Sequence, residues 1–156
     1  MRRSIEGYLF EQVGLIEPLR NDSGAIIEEL PQTRYRKKDS LPLNNYGHGP
    51  FCRFRVARGY RESGVYIIAS GAAALYVGEC QNLEVRFSSR GYGGISPRNC
   101  FRGGQETNCR INALILNAVK SGDELVLWFH RTDGEKTFRV EIETRLMDAL
   151  KPAWNR

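Results

Sequence analysis

The sequence predicts a small α/β (α+β) sandwich: a central three-stranded sheet, mixed or antiparallel, flanked by helices and preceded by an N-terminal extension. Three observations predict it. Two short β-rich runs, GVYII and LYVGE, lie on either side of ASGAAA with Gly71 at its centre, the pattern of a β-hairpin. A third strand-like run, LVLWFH, follows at Leu125–His130. Two stretches carry apolar residues at helical spacing: Ile111, Leu114, Ile115, Ala118 and Val119, and then Thr137–Leu150. The order strand, strand, helix, helix, strand, helix lets one sheet bury its apolar face under helices.

The elements follow in order. Residues 1–61 read as an irregular basic extension and 62–156 as the folded domain. Within the extension, Ile5–Ile16 suits a strand or a short helix, and Ala25–Leu30 a second short element. Turn formers dominate up to Pro50, and Phe51–Val56 (FCRFRV) alternates apolar and basic residues like a strand with one charged face. With Gly71 as midpoint, the hairpin sets Ile67 opposite Leu75, Tyr66 opposite Tyr76, Val65 opposite Val77 and Gly64 opposite Gly78. Asn82 can accept from free backbone N–H groups and so cap a helix LEVRFSS. A glycine-rich loop, GYGGISPRNCFRGGQ, leads to the second helix, capped by Thr107 or Asn108 and ended by Gly122. Thr132–Glu135 is a turn, and Pro152 stops the last helix.

With 156 residues, 41% apolar and 26% charged, the chain suits one compact domain rather than disorder. The net charge of +5 is unevenly placed. Residues 34–61 hold eight Lys and Arg against Asp39, and residues 86–110 hold five Arg against Glu106. Two such blocks suit a polyanionic partner, nucleic acid first among them, or else a merely solvated surface. The four cysteines form no C-x-x-C pair and only two histidines exist, which argues against structural zinc. No secretory signal is evident at the N-terminus, so reduced thiols and a cytoplasmic location are expected. The longest uncharged apolar-rich run, Gly64–Gly78, is too short and too glycine-rich to cross a membrane. The glycine-rich loop is no P-loop, because no Gly-Lys-Ser/Thr follows it.

One carboxylate is out of place. On an ideal helix Glu143 falls in the apolar arc with Ile142, Leu146 and Leu150, whereas Glu141 and Asp148 fall outside it. A carboxylate there is costly unless paired or bound to a cation. Either an i, i+4 ion pair with Arg139 or a bound cation would satisfy it.

Taken together, Gly64-Val-Tyr66 and, ten residues on, Tyr76-Val-Gly78 resemble the GIY-YIG nuclease signature. Arg86, within VGECQNLEVRF, matches the arginine on that family's first helix. Glu143 matches the metal-binding glutamate on its last helix, and Pro152-Ala-Trp-Asn155 its terminal Pro-x-(aromatic)-Asn. The resemblance covers Gly64–Asn155 and is closest to the nucleotide-excision-repair members. Two positions depart from it. Glu79 stands where repair members often carry a lysine, and Arg90 stands where members commonly have histidine or tyrosine, with Tyr92 nearby as a second candidate for that role.

The resemblance implies a metal-dependent DNA endonuclease, restriction-like or mobile-element-like, acting with Mg²⁺ or Mn²⁺ on DNA. A structure-specific repair nuclease, or a DNA-binding module that keeps the fold without cutting, are the alternatives. Glu143 would hold the ion, which polarises the phosphate and relieves the leaving oxygen. Arg86 would clamp phosphate oxygens through its planar fork. A tyrosine beside a cation gives up its proton more readily and can serve as general base. Tyr66 is the expected base, Tyr76 the orienter of water or phosphate, and Asn155 a supporting group. The basic run Arg34, Arg36, Lys37 and Lys38, and Arg98, Arg102 and Arg110 of the loop region 91–112, are the expected DNA contacts. Sequence leaves the oligomeric state open, a dimer included.

Overall fold

The N-terminal extension is not irregular. In a computed structural model that describes all residues from Met1 to Arg156, the first segment forms two strands, β1 (Arg2–Ile5) and β2 (Tyr8–Leu15). Glu6 and Gly7 join them with φ of 50° and 83°, the two-residue turn whose twist suits an antiparallel hairpin. Then come β3 (Glu17–Pro18), β4 (Phe54–Arg55), β5 (Gly64–Ser70), β6 (Ala73–Cys80), α1 (Leu83–Arg86), α2 (Glu106–Lys120), β7 (Leu125–Arg131) and α3 (Lys136–Leu150). No helix is long and apolar enough to cross a membrane.

Contacts divide the chain into two compact units. Unit 1 comprises Met1–Ile16, Val56–Val85 and Asp123–Arg156; unit 2 comprises Glu17–Arg55 and Arg86–Gly122.

Unit 1 contains a five-stranded antiparallel sheet of order β1-β2-β7-β5-β6. The α+β class expected from sequence is the one present, but the sheet has five strands rather than three. The reason is that β2 pairs with β7, from Glu11 opposite Phe129 to Leu15 opposite Val126. One face carries Phe10, Val65, Ile67, Ala69, Val77 and Trp128, which form a core with Ile142 and Leu146 of α3. Burying each of those two helix side chains is worth about 1.5–3 kcal/mol. Phe138 and Val140, by contrast, lie on the exposed side of α3, at 50% and 38% exposure. After Leu150, Lys151 adopts the left-handed conformation at φ 48° and returns its N–H to Met147 O at 3.0 Å.

The hairpin register differs from the symmetrical one. The turn is the pair Gly71–Ala72, with Gly71 at φ 57°, so Ser70 faces Ala73 and Ala69 faces Ala74. An irregularity follows, which absorbs Leu75. Ile68 then faces Tyr76, Ile67 faces Val77, Tyr66 faces Gly78 and Val65 faces Glu79. Tyr66 and Tyr76 are therefore diagonal neighbours, not direct partners, although both still lie on the face opposite the Val65–Ile67–Val77 core.

Unit 2 pairs Glu17–Pro18 with Phe54–Arg55 and packs Phe51, Ile95, Cys100, Phe101 and Cys109 into its own core. The Phe51–Val56 strand is thus only two residues long, and Ala25–Leu30 makes isolated bridges instead of a regular element. Helix α2 begins at Glu106, ahead of the expected caps Thr107 and Asn108. Its buried positions include Asn108, Asn112 and Leu116 beside Ile111 and Ile115, which turns the buried arc away from the expected one. The glycine-rich loop is interior: every residue from Gly91 to Ile95 is buried.

Candidate active site

In unit 1 one tyrosine of the pair rests on a glycine. Tyr66 lies across Gly78, against which its hydroxyl and ring would meet any Cβ. A Cβ on Gly64 would run into the Phe129 ring, at 2.7 Å from Cε1. Both glycines are therefore required by close approach, of the Tyr66 ring at Gly78 and of the His130 carbonyl and Phe129 ring at Gly64, rather than by unusual φ. The Tyr66 and Tyr76 rings stand 6.2 Å apart between centroids, tilted by 44°. Tyr66 has no exposed surface; Tyr76 retains 9%.

Asn155 is tied to the same hairpin. Its Oδ1 accepts the Val77 N–H at 2.9 Å, and its Nδ2 donates to the Val77 carbonyl at 2.9 Å. The Trp154 N–H donates to Leu75 O at 2.8 Å. The segment after α3 thus runs along the open edge of β6 and satisfies backbone groups that an edge strand leaves unpaired.

Glu143 is half-buried on α3, one turn beyond Arg139. Arg139 is itself buried, and its Nε donates to Glu79 Oε2 at 3.0 Å while its Nη1 donates to Gly134 O at 3.0 Å. So the departure at Glu79 has a partner: the acidic residue after Val77-Gly78 pairs with an α3 arginine. Sequence reasoning had considered Arg139 only as a partner for Glu143. The signal was available in the β6 alternation, which puts Glu79 on the same side as Val77 and the core.

Arg86, at the end of α1, begins unit 2. The Asn82 cap forms as expected, Oδ1 accepting the Val85 N–H at 3.0 Å, but the helix stops at Arg86 rather than running through LEVRFSS. The turn that ends it is tight. Tyr92 N–H donates to Arg86 O at 2.8 Å, and a Cβ on Gly91 would lie 2.6 Å from the Arg86 carbonyl carbon. The Arg86 guanidinium lies 5.9 Å from the centroid of the buried Tyr92 ring. Of the two candidates after Arg86, Tyr92 is thus the one brought to it; Arg90 is exposed, its backbone N–H held by Ser88 Oγ at 3.1 Å.

Asn112 escaped sequence reasoning. It is fully buried on α2, accepts the Cys52 N–H at 3.0 Å, and donates to Cys52 O at 2.8 Å and Tyr92 O at 2.7 Å. It therefore holds Tyr92 beneath Arg86. A polar residue inside an otherwise apolar helical arc was the only signal.

Arg34, Arg36, Lys37, Lys38, Arg98 and Arg102 are exposed, and Arg110 is half-buried on α2; all belong to unit 2. No three His, Cys, Asp or Glu side chains gather anywhere as a metal cage. The half-buried Glu143 carboxylate suits a different kind of site, that of a hard ion which keeps its waters and takes substrate phosphate as a further ligand.

The sequence matches no protein family model, and no curated protein matches it. Among solved structures the chain shares its fold with a phage nuclease. A structure of a mutant of bacteriophage T4 EndoII aligns at a TM-score of 0.50 and 20% identity, over 74% of this chain and 87% of that one. The α+β fold of this chain is therefore shared with that structure.

Proposed function

We propose that the chain is a DNA endonuclease that hydrolyses phosphodiester bonds with a divalent ion, Mg²⁺ or Mn²⁺. The observation that carries this reading is the tyrosine pair: two rings on one sheet face, one seated across Gly78, with the strand between them gripped at Val77 by Asn155. A structural hairpin needs neither the glycine under the ring nor the amide at the edge. The likeness to phage EndoII supports the same class.

In this reading Glu143 would hold the ion, and the chemistry it would supply is charge relief on the scissile phosphate and the leaving 3′-oxygen. Arg86, backed by Tyr92, clamps a phosphate oxygen with two donors. Tyr76, which reaches solvent, orients the attacking water or the phosphate. Tyr66 takes the water's proton once a small opening uncovers it. Asn155 fixes the strand between them. Restriction-like or mobile-element-like cutting is the reading we favour over structure-specific repair. The full burial of Tyr66 favours a second reading, a DNA-binding module that has lost cutting.

Purified protein incubated with supercoiled plasmid and Mg²⁺ or Mn²⁺ separates the two. Nicking or linearisation by wild type, and its loss in Glu143→Ala, are the expected results. No cutting of plasmid, branched or damaged DNA would sink the nuclease reading, and full activity of Glu143→Ala would sink the metal assignment. Tyr66→Phe should abolish cutting, whereas Tyr76→Phe should slow it.

A further inference from the structure

The basic blocks that lie apart in the sequence meet in unit 2. We propose that they form one duplex-DNA-gripping face, separate in composition from the unit that carries the tyrosines; this rests on the reading that the substrate is DNA.

Charge is sorted by unit. Unit 2 holds thirteen Lys and Arg against six Asp and Glu, a net of +7, whereas unit 1 holds ten against twelve, a net of −2. The whole excess of positive charge therefore sits on residues 17–55 and 86–122, the two segments that interrupt unit 1.

Within unit 2 the blocks are locked side by side. Two short 3₁₀ helices, Pro31–Arg34 and Pro97–Cys100, pack together. The Tyr35 ring lies on Phe101 at 4.7 Å. Backbone bonds join the segments that follow: Asn44 N–H to Cys100 O at 2.9 Å, and Arg102 N–H to Pro42 O at 3.0 Å. Buried Asn44 adds its side chain, donating to Asn99 O at 2.7 Å. Arg34, Arg36, Lys37 and Lys38 thus share a rigid support with Arg98 and Arg102.

These six cations are exposed, and none stands in an ion pair, whereas Arg53 and Lys120 of the same unit are paired with Glu29 and Glu28. Arg98 donates to Arg102 O at 3.1 Å, which orders it without neutralising it. Six unneutralised cations on one support suit a row of phosphates.

The occupant is a duplex rather than a single strand. Single-strand binders pair positive grooves with exposed aromatic platforms on which bases stack. Every Phe and Tyr of unit 2 is buried or half-buried, and the unit holds no Trp. Its face offers exposed cations and no fully exposed ring, which matches the outside of a paired helix.

The test is direct binding in EDTA, which separates binding from cutting. A short fluorescent DNA duplex is titrated at several salt concentrations with wild type, with Arg98→Gln/Arg102→Gln, with Arg34→Gln/Arg36→Gln/Lys37→Gln/Lys38→Gln, and with Lys136→Gln/Lys151→Gln of unit 1 as a charge control. Thermal unfolding confirms that each variant is folded. Each unit 2 set should weaken binding about tenfold or more and flatten the log–log salt slope by about 0.9 for each phosphate contact removed. The control should do neither. Equal losses in the control, no loss in either unit 2 set, no duplex binding by wild type, or tighter binding of single-stranded DNA or of RNA would each overturn the proposal. If the face binds but plasmid is never cut, the nuclease reading fails alone. If plasmid is cut while the variants bind like wild type, this proposal fails alone.

Discussion

The side chain of Asn155 grips the backbone of Val77 at two points, accepting its N–H and donating to its carbonyl, both at 2.9 Å. An asparagine amide here stands in for a neighbouring strand. Because Val77 lies between Tyr76 and Gly78, the grip bears on the position of both tyrosines. Asn155→Ala should cost about 1–3 kcal/mol, the usual price of leaving such groups unpaired, and reduce cutting well beyond that loss of stability. Asn155→Asp keeps an acceptor for the N–H but sets a carboxylate against the carbonyl. It should be at least as damaging at neutral pH and recover on acidification, when the protonated acid donates again. Thermal unfolding and plasmid nicking at two pH values check both.

Gly78→Ala puts a methyl group where the Tyr66 ring lies. The ring must leave or the hairpin must separate, and either displaces the tyrosine. The expectation is a loss of about 1–3 kcal/mol from overpacking, with cutting reduced more than by Tyr76→Phe. Wild-type-like stability and activity would mean that Tyr66 is not held against that backbone.

Glu79 and Arg139 form a pair whose side chains are 13% and 9% exposed. Removing one partner strands the other in a poorly solvated site, so Arg139→Met or Glu79→Leu should cost about 3–5 kcal/mol. Glu79→Lys, which installs the residue that repair members often carry, should be worse still because it faces a second cation. The double variant Glu79→Leu/Arg139→Met should recover much of the loss. Chemical denaturation of wild type, Arg139→Met, Glu79→Leu and the double variant gives the coupling directly.

All four cysteines are buried, at 0–1% exposure. Burial pushes the Cys52 thiol up from 9.0 to about 12. Cys109 hydrogen-bonds to Cys100, which lowers Cys100 and raises Cys109. A thiol reagent should therefore label none of them in the native protein at neutral pH and all four after unfolding. For Cys52 the folded value is the higher one, so its contribution to stability is complete below the unfolded value near 9.0 and is lost as pH climbs toward about 12. Denaturation midpoints should fall across that window, and less so in Cys52→Ala.

Local patterns were legible where neighbours in sequence decide the outcome. The hairpin around Gly71, the Asn82 cap, β7 and α3 follow from alternation, capping and periodicity within a few residues. The register was not legible, because the displacement that absorbs Leu75 is set by packing across the sheet. Nor could sequence choose between strand and helix for Ile5–Ile16, or find β1 at Arg2–Ile5, since β2 finds its partner in β7 near the far end of the chain. For the candidate site, the residues were named through the family resemblance that the ordered motifs carry. The supports were not: Asn112 beneath Tyr92, Arg139 against Glu79 and Asn155 on Val77 are all long-range pairings.

The pairing of Glu11–Leu15 with Val126–Phe129 has a consequence for synthesis of the chain. As the polypeptide leaves the ribosome, β1 and β2 can close their hairpin at once, but β7 is still untranslated. Through most of translation the outer edge of β2 and the apolar side chains Phe10 and Val13 stay uncovered. That interval, rather than the finished protein, is when self-association through a bare strand edge is most dangerous. Slower decoding before Leu125 lengthens it, so codon choice upstream of β7 should govern how much of the nascent protein is recovered intact.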